Sequence, residues 1–237
     1  AGTRGVSGLR VIVALDYSDA KAAWQIIDRL HPARCRLKIG KELFTTAGPQ
    51  LVEKVVERGY SVFLDLKFHD IPNTVKGAAN AIARLAPTFL TVHASGGGPM
   101  IQSAAGALPG TKITAVTVLT SLDKSEFGHM GFSEEIAELT SSLARNAVEN
   151  GARALVCSPL EVSRLRNELG DDVVLITPGV RPNEQASRAT KGDDQKRTMT
   201  PREAIASGAD FLVIGRPISA SENPAEAARK ILDELAC

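Results

Sequence analysis

Eight short apolar runs alternate with helical patterns from one end of the chain to the other, and this alternation constrains the fold more than any other feature. The runs are Leu9–Leu15, Cys35–Ile39, Tyr60–Leu66, Thr88–Val92, Ile113–Val118, Ala154–Cys157, Val173–Ile176 and Phe211–Ile214. Between them, apolar residues recur at spacings of three and four over Asp19–Leu30, Pro49–Arg58, Asn73–Leu85, Ser133–Asn150, Leu160–Leu169, Pro201–Ser207 and Pro224–Leu235. That is the period of an amphipathic helix. Several runs are rich in Val, Ile and Leu, as strands covered by helices should be, and the order favours a parallel sheet. Eight such units predict a single closed (β/α)8 TIM barrel, with its active site at the carboxyl ends of the strands. An open doubly wound sheet is the structural alternative, but no Gly-x-Gly-x-x-Gly turn follows the first run to support a dinucleotide-binding version.

A length of 237 residues is compatible with one barrel domain, since such barrels commonly reach this size. The 28 basic residues nearly balance the 27 acidic ones, which leaves no large field to attract nucleic acid or an acidic membrane surface. Cys35, Cys157 and Cys237 are scattered, with no paired spacing that suggests a zinc site or a disulfide framework. Reduced thiols and a cytoplasmic location are the expectation. No stretch approaches the ~20 apolar residues of a membrane span, and residues 1–8 lack the apolar core of a secretory signal and read as a loose tail.

Chemistry concentrates at the end of the third run, where Asp65-Leu66-Lys67-Phe68-His69-Asp70 places two carboxylates and an ammonium within six residues. If Tyr60–Lys67 is a strand, Phe63, Asp65 and Lys67 share one face while Val62, Leu64 and Leu66 share the other. The apolar set takes the core and the charged set faces a cavity. Ile71-Pro72 follows at once, and proline suits the first turn of a helix, so Asp70 belongs on the strand-to-helix turn with the three charges converging. Neighbouring carboxylates favour the ammonium form of a lysine between them, which makes Lys67 a positioned proton donor. The same hexapeptide also reads as a structural ion pair closing a strand end.

Other polar residues fall at the same ends of their runs: Asp16, Lys38, His93, Thr120, Ser121, Gly215 and Arg216. Ile214-Gly215-Arg216-Pro217 suits a phosphate held by backbone N–H groups and an arginine fork, in the region where barrels often bind phosphate. Thr177-Pro178-Gly179-Val180-Arg181-Pro182 leads into a polar stretch with little apolar content. Residues 182–200 are expected to form a lid, with Arg181, Gln195 and Arg197 reaching an anion as it closes.

Taken together, these segments resemble orotidine 5′-phosphate decarboxylases of the bacterial type, nearly end to end. The most specific matches are Ala14-Leu15-Asp16, Leu37-Lys38-Ile39-Gly40-Lys41-Glu42, the run from Asp65 to Thr74, Val92-His93-Ala94-Ser95-Gly96-Gly97, Val118-Leu119-Thr120-Ser121, Thr177–Pro182 and Ile214–Pro217. The resemblance implies loss of CO2 from orotidine 5′-phosphate to give uridine 5′-phosphate, without metal or organic cofactor. It implies an alternating network of Lys38, Asp65, Lys67 and Asp70, with Lys67 protonating C6.

It further implies a homodimer in which Asp70 and Thr74 act across the interface. Asp16 and Lys38 match ribose-binding residues, Asp65 lies by the substrate carboxylate, and Thr120 with Ser121 match the pyrimidine-contacting pair. Arg181, Gln195, Gly215 and Arg216 match the phosphate set, whereas His69 and His93 read as packing residues. Two competing readings stand beside it. One is a magnesium-dependent lyase similar to hexulose-phosphate synthases, which share Asp-x-Lys-x-x-Asp; the other is a barrel that binds a nucleotide or protein without turnover.

Overall fold

A computed structural model describes residues 9–133, 135–181 and 199–236. Eight parallel strands close into a barrel in sequence order: β1 (Val11–Ala14), β2 (Arg36–Gly40), β3 (Val62–Phe68), β4 (Phe89–His93), β5 (Lys112–Val116), β6 (Ala154–Val156), β7 (Val174–Thr177) and β8 (Phe211–Ile214), with β8 pairing back onto β1. The TIM barrel expected from the alternation is the observed fold. The expected tail, residues 1–8, lies outside the described residues.

Alternation along each strand builds two apolar layers. Val62 and Leu64 point outward into the large core beneath the helices, while Phe63 points inward with Ile12, Ala14, Phe89, Ala154, Ile176 and Val213. Fully burying a side chain of this size contributes about 1.5–3 kcal/mol relative to leaving it exposed. Inside the barrel, the Phe89 ring lies edge-on to both Phe63 and Phe211, at centroid distances of 5.8 and 5.7 Å. The Arg36 guanidinium caps Phe211 at 4.8 Å, and its burial lowers its pKa from the usual arginine value. The lower barrel is therefore filled, which leaves the carboxyl ends of the strands as the place for a cavity.

The outer layer comprises α1 (Ala20–Ile27), α2 (Lys41–Ala47), α3 (Pro49–Glu57), α4 (Pro72–Ile82), α5 (Gly98–Ala107), α6 (Lys124–His129), α7 (Ile136–Glu149), α8 (Val162–Leu169), α9 (Pro201–Ala206), α10 (Arg216–Ser219) and α11 (Pro224–Ala236). Proline occupies the first helical position of α3, α4, α9 and α11, where its missing N–H removes no intrahelical bond. The Asp19 carboxylate caps α1 by accepting the Ala22 N–H at 2.8 Å, so Asp19 precedes the helix rather than opening it. At the other end, the Arg29 and Leu30 N–H groups bond to Ile26 and Ile27, a tightened turn that closes the expected Asp19–Leu30 helix early.

The third strand departs from simple alternation. Leu64 pairs with Leu90 and Phe68 with Val92, so β3 advances four residues while β4 advances two. Lys67 absorbs the surplus with φ of 50°, in the left-handed region that a non-glycine residue avoids. At the barrel's far side, the Arg181 N–H bonds to the Met199 carbonyl at 2.9 Å and Val180 bridges Met199, which closes the base of the segment between them. Most of the expected lid, including Gln195 and Arg197, lies outside the described residues. No helix among the described residues is long and apolar enough to cross a membrane.

Candidate active site

Strand ends place the polar residues of the motifs around one cavity of about 770 Å³. Lys38 is on β2 and Asp65 with Lys67 on β3, whereas Asp16, Thr120, Ser121, Arg181, Gly215 and Arg216 lie on the segments that leave β1, β5, β7 and β8. The volume lies within the range of small-molecule sites, roughly 300–1,000 Å³. Val118, Leu119, Val156, Pro178 and Val213 add apolar lining between these polar groups.

Asp65 is the centre of the charged wall. It is 8% exposed, with Oδ1 at 2.7 Å from Lys67 Nζ and Oδ2 at 3.5 Å from Lys38 Nζ. Lys38 Nζ also donates to Asp16 Oδ1 at 3.1 Å. The resulting row runs Asp16, Lys38, Asp65, Lys67, with signs alternating. Burial opposes the charge on Asp65, yet Lys38 and Lys67, with hydrogen bonds from Lys67 and Thr91, hold its pKa below the usual carboxylate value. Burial likewise opposes charge on Lys38, and the Asp65 and Asp16 carboxylates outweigh it, raising the lysine pKa. The charges of Asp65 and Lys38 are thus kept by their neighbours.

Two glycines give this row its room. A Cβ on Gly40 would stand 3.3 Å from Lys38 Nζ, and one on Gly215 would stand 3.3 Å from Asp16 Oδ2. Gly40 has φ −89° and ψ 179°, a backbone open to any residue, so space rather than conformation accounts for the glycine there.

Asp70 does not join the row within its own chain. The expected convergence of three charges fails because the turn after β3 carries Asp70 to the surface, where its Oδ1 accepts the Ile71 N–H at 2.7 Å. Thr74 is exposed on the first turn of α4, close to Asp70 in sequence. Gln195, expected in the phosphate set, lies outside the described residues.

His69 and His93 face each other with ring centroids 5.3 Å apart and do not line the cavity. Cys35 and Cys157 are free and buried, and burial pushes both thiols up to about 12, which leaves them inert as nucleophiles. Thr91, absent from the residues singled out in the sequence, proves central. Its hydroxyl accepts the Lys67 N–H at 2.8 Å and donates to Asp65 Oδ1 at 2.9 Å. A polar residue at an inward position between Phe89 and His93 was the available signal.

Comparison with known proteins agrees with this geometry. Residues 9–231 match the family described as Orotidine 5'-phosphate decarboxylase / HUMPS. An orotidine 5′-phosphate decarboxylase of Nitrosospira multiformis is 49% identical over 91% of this chain and 89% of its own length. The enzyme of that name from Thermobifida fusca is 50% identical over 95% of each chain. The crystal structure of orotidine 5′-phosphate decarboxylase from Lactobacillus acidophilus superposes with a TM-score of 0.84 at 38% identity, covering 96% of this chain and 99% of that one. With a family match across nearly all its length and relatives at half identity, the chain belongs to the orotidine 5′-phosphate decarboxylase / HUMPS family.

Proposed function

We propose that this protein removes the C6 carboxylate of orotidine 5′-phosphate as CO2 and protonates C6 from Lys67, giving uridine 5′-phosphate without a metal or organic cofactor. The coarser reaction, decarboxylation of orotidine 5′-phosphate in pyrimidine biosynthesis, follows from the family and from relatives of that name at 43–50% identity. One observation carries the finer reading. A single buried carboxylate, Asp65, holds two ammonium groups at 2.7 and 3.5 Å on the wall of a nucleotide-sized cavity.

Breaking the bond to CO2 leaves its electron pair on C6, where the pyrimidine ring stabilises it poorly. A fixed ammonium stabilises that charge as it develops and needs no reorganisation at the moment of reaction. The Lys67 proton then forms the new C6–H bond, and the amine regains a proton from solvent. Asp65 keeps Lys67 aimed, while its closeness to the substrate carboxylate favours departure of CO2. The same reading gives Asp16 and Lys38 the ribose hydroxyls and Thr120 with Ser121 the pyrimidine. Arg181, Gln195, Gly215 and Arg216 take the phosphate.

Asp70 and Thr74 complete the neighbouring site in a cytoplasmic homodimer. Their exposure supports this assignment, since neither is engaged with the charged row of its own chain. A magnesium-dependent lyase would use these carboxylates as metal ligands. Asp65, already shared by two ammonium groups, is poorly suited to that role.

The test is the absorbance change of orotidine 5′-phosphate with purified, chelator-treated protein beside its Lys67→Ala variant. Rapid conversion that the substitution abolishes is the expected result. Conversion that requires added Mg²⁺, or that a folded Lys67→Ala protein retains, overturns the reading.

A further inference from the structure

The register break in β3 leaves two problems at one place. Its two-residue surplus over β4 forces Lys67 into left-handed backbone, and the Lys67 N–H is turned away from the regular ladder. A buried donor without a partner is strongly disfavoured. Thr91, on β4 opposite the break, takes that N–H at 2.8 Å.

The same oxygen lies 2.9 Å from Asp65 Oδ1. Because the Lys67 amide can only donate, the single hydroxyl proton of Thr91 is free to point at the carboxylate. Lys67 Nζ reaches the same Asp65 oxygen at 2.7 Å, so a ring of contacts closes: Lys67 amide, Thr91 hydroxyl, Asp65 carboxylate, Lys67 ammonium. Thr91 is 0% exposed, and its branched Cβ restricts χ1, so the hydroxyl is a fixed point.

We propose that Thr91 is a positioning residue of the reaction, setting the aim of the Lys67 ammonium by pinning both the lysine backbone and the carboxylate that the ammonium contacts. The proposal rests on Lys67 acting as the proton donor and adds the element that holds it in line. Thr91 touches no substrate; it acts through the other two residues.

Thr91→Val keeps the shape and removes the hydroxyl. Steady-state kinetics of this variant should show kcat reduced about 10²-fold, the scale of a misplacement near 1 Å, with KM changed little because the phosphate and ribose contacts remain. Thr91→Ser, which restores the hydroxyl, should recover most of kcat. Should Thr91→Val fail to fold, Thr91→Ser and Thr91→Ala supply the comparison, since both lack the methyl group and differ only in the oxygen.

A Thr91→Val enzyme with near-normal kcat overturns the proposal, as do Ser and Ala variants of equal kcat. Lys67→Ala run alongside separates the two levels. If Lys67→Ala is active, the proton-donor reading fails; if it is inactive while Thr91→Val is normal, only the positioning role fails.

Discussion

Lys67 Nζ lies 2.7 Å from Asp65 Oδ1, although residues two apart on a regular strand are separated by about 6.6 Å along its axis. Side chains at such positions stand roughly parallel on one face. The break in register at Lys67 turns the lysine so that its ammonium folds back onto the carboxylate. Lys38 approaches the other oxygen of the same group, so Asp65 serves two cations: Lys38 also has Asp16, whereas Asp65 is the one carboxylate paired with Lys67 among the described residues.

This asymmetry predicts unequal losses of stability. Asp65→Asn leaves two ammonium groups facing an uncharged amide and should destabilise by about 3–5 kcal/mol, as breaking buried pairs does. Lys67→Ala leaves Asp65 with Lys38 and Thr91, and its loss should stay near 1 kcal/mol. Urea unfolding of the two variants reads the difference directly, and equal losses would show that Asp65 is not the shared anchor.

How far the site was legible follows from the same residues. Alternation of apolar runs was enough for the barrel because helix and strand periods survive local irregularity. Asp16, Lys38, Asp65, Lys67 and Arg216 were visible because charge at the end of an apolar run has few structural uses. Thr91 was visible only as a polar residue at an inward position, since its importance depends on a bulge in a neighbouring strand, a relation between two segments that neither reveals alone. Helix α5 was hidden differently: Gly98, Pro99 and Gly106 give it the composition of a loop, and packing overrides that propensity.

Arg216 lies at the mouth where β8 ends, remote from the Asp65–Lys67 pair in chain position but lining the same cavity. A charge-assisted hydrogen bond to phosphate contributes about 1.5–3 kcal/mol, so Arg216→Ala should lower kcat/KM about 10–100-fold, chiefly by raising KM. Initial rates over a range of substrate concentrations measure this. Unchanged kinetics would remove Arg216 from the phosphate site.

Arg166 serves stability at the opposite end of the barrel. Its guanidinium donates to the carbonyls of Gly170, Val173 and Gly208 and to Asp210 Oδ2 at 2.7–3.2 Å, and Asp210 also accepts the Leu175 N–H. It thereby ties together the segments that enter β7 and β8. Arg166→Ala should cost about 2–4 kcal/mol by stranding these acceptors, equivalent to a fall in Tm of roughly 5–15 °C. KM should not change, and a shift in KM without a fall in Tm would contradict this structural role.

His93 gives stability a dependence on pH. Burial, followed by the positive potential of His69, Lys67 and Lys41, lowers its pKa from 6.5, with Asp65 opposing. A depressed folded-state pKa means that the unfolded chain takes up the proton first. The stability is therefore complete above pH 6.5 and is lost as pH falls through the lower folded value. Asp65 loses its contribution only below its usual carboxylate range, so it takes no part in a decline that begins at pH 6.5. Tm should fall as pH drops below 6.5, and His93→Gln should flatten that fall; parallel curves for the two proteins would refute the assignment.

Asp70 supplies the sharpest test of a shared site. It is exposed, bound to the Ile71 amide, beside an isoleucine side chain that is itself 67% exposed, and separate from the Asp16–Lys38–Asp65–Lys67 row of its own chain. If Asp70 completes the neighbouring subunit's site, Lys67→Ala and Asp70→Ala chains have complementary defects. Each is inactive as a homodimer, but a mixed two-fold dimer contains one site with both native residues and one with neither. Random pairing makes half the dimers mixed, so the co-expressed pair should recover about a quarter of the wild-type sites. Purification through two different tags isolates the mixed dimer and should raise the recovery to about half. A mixed dimer as inactive as its parents would place Asp70 in the site of its own chain or in none.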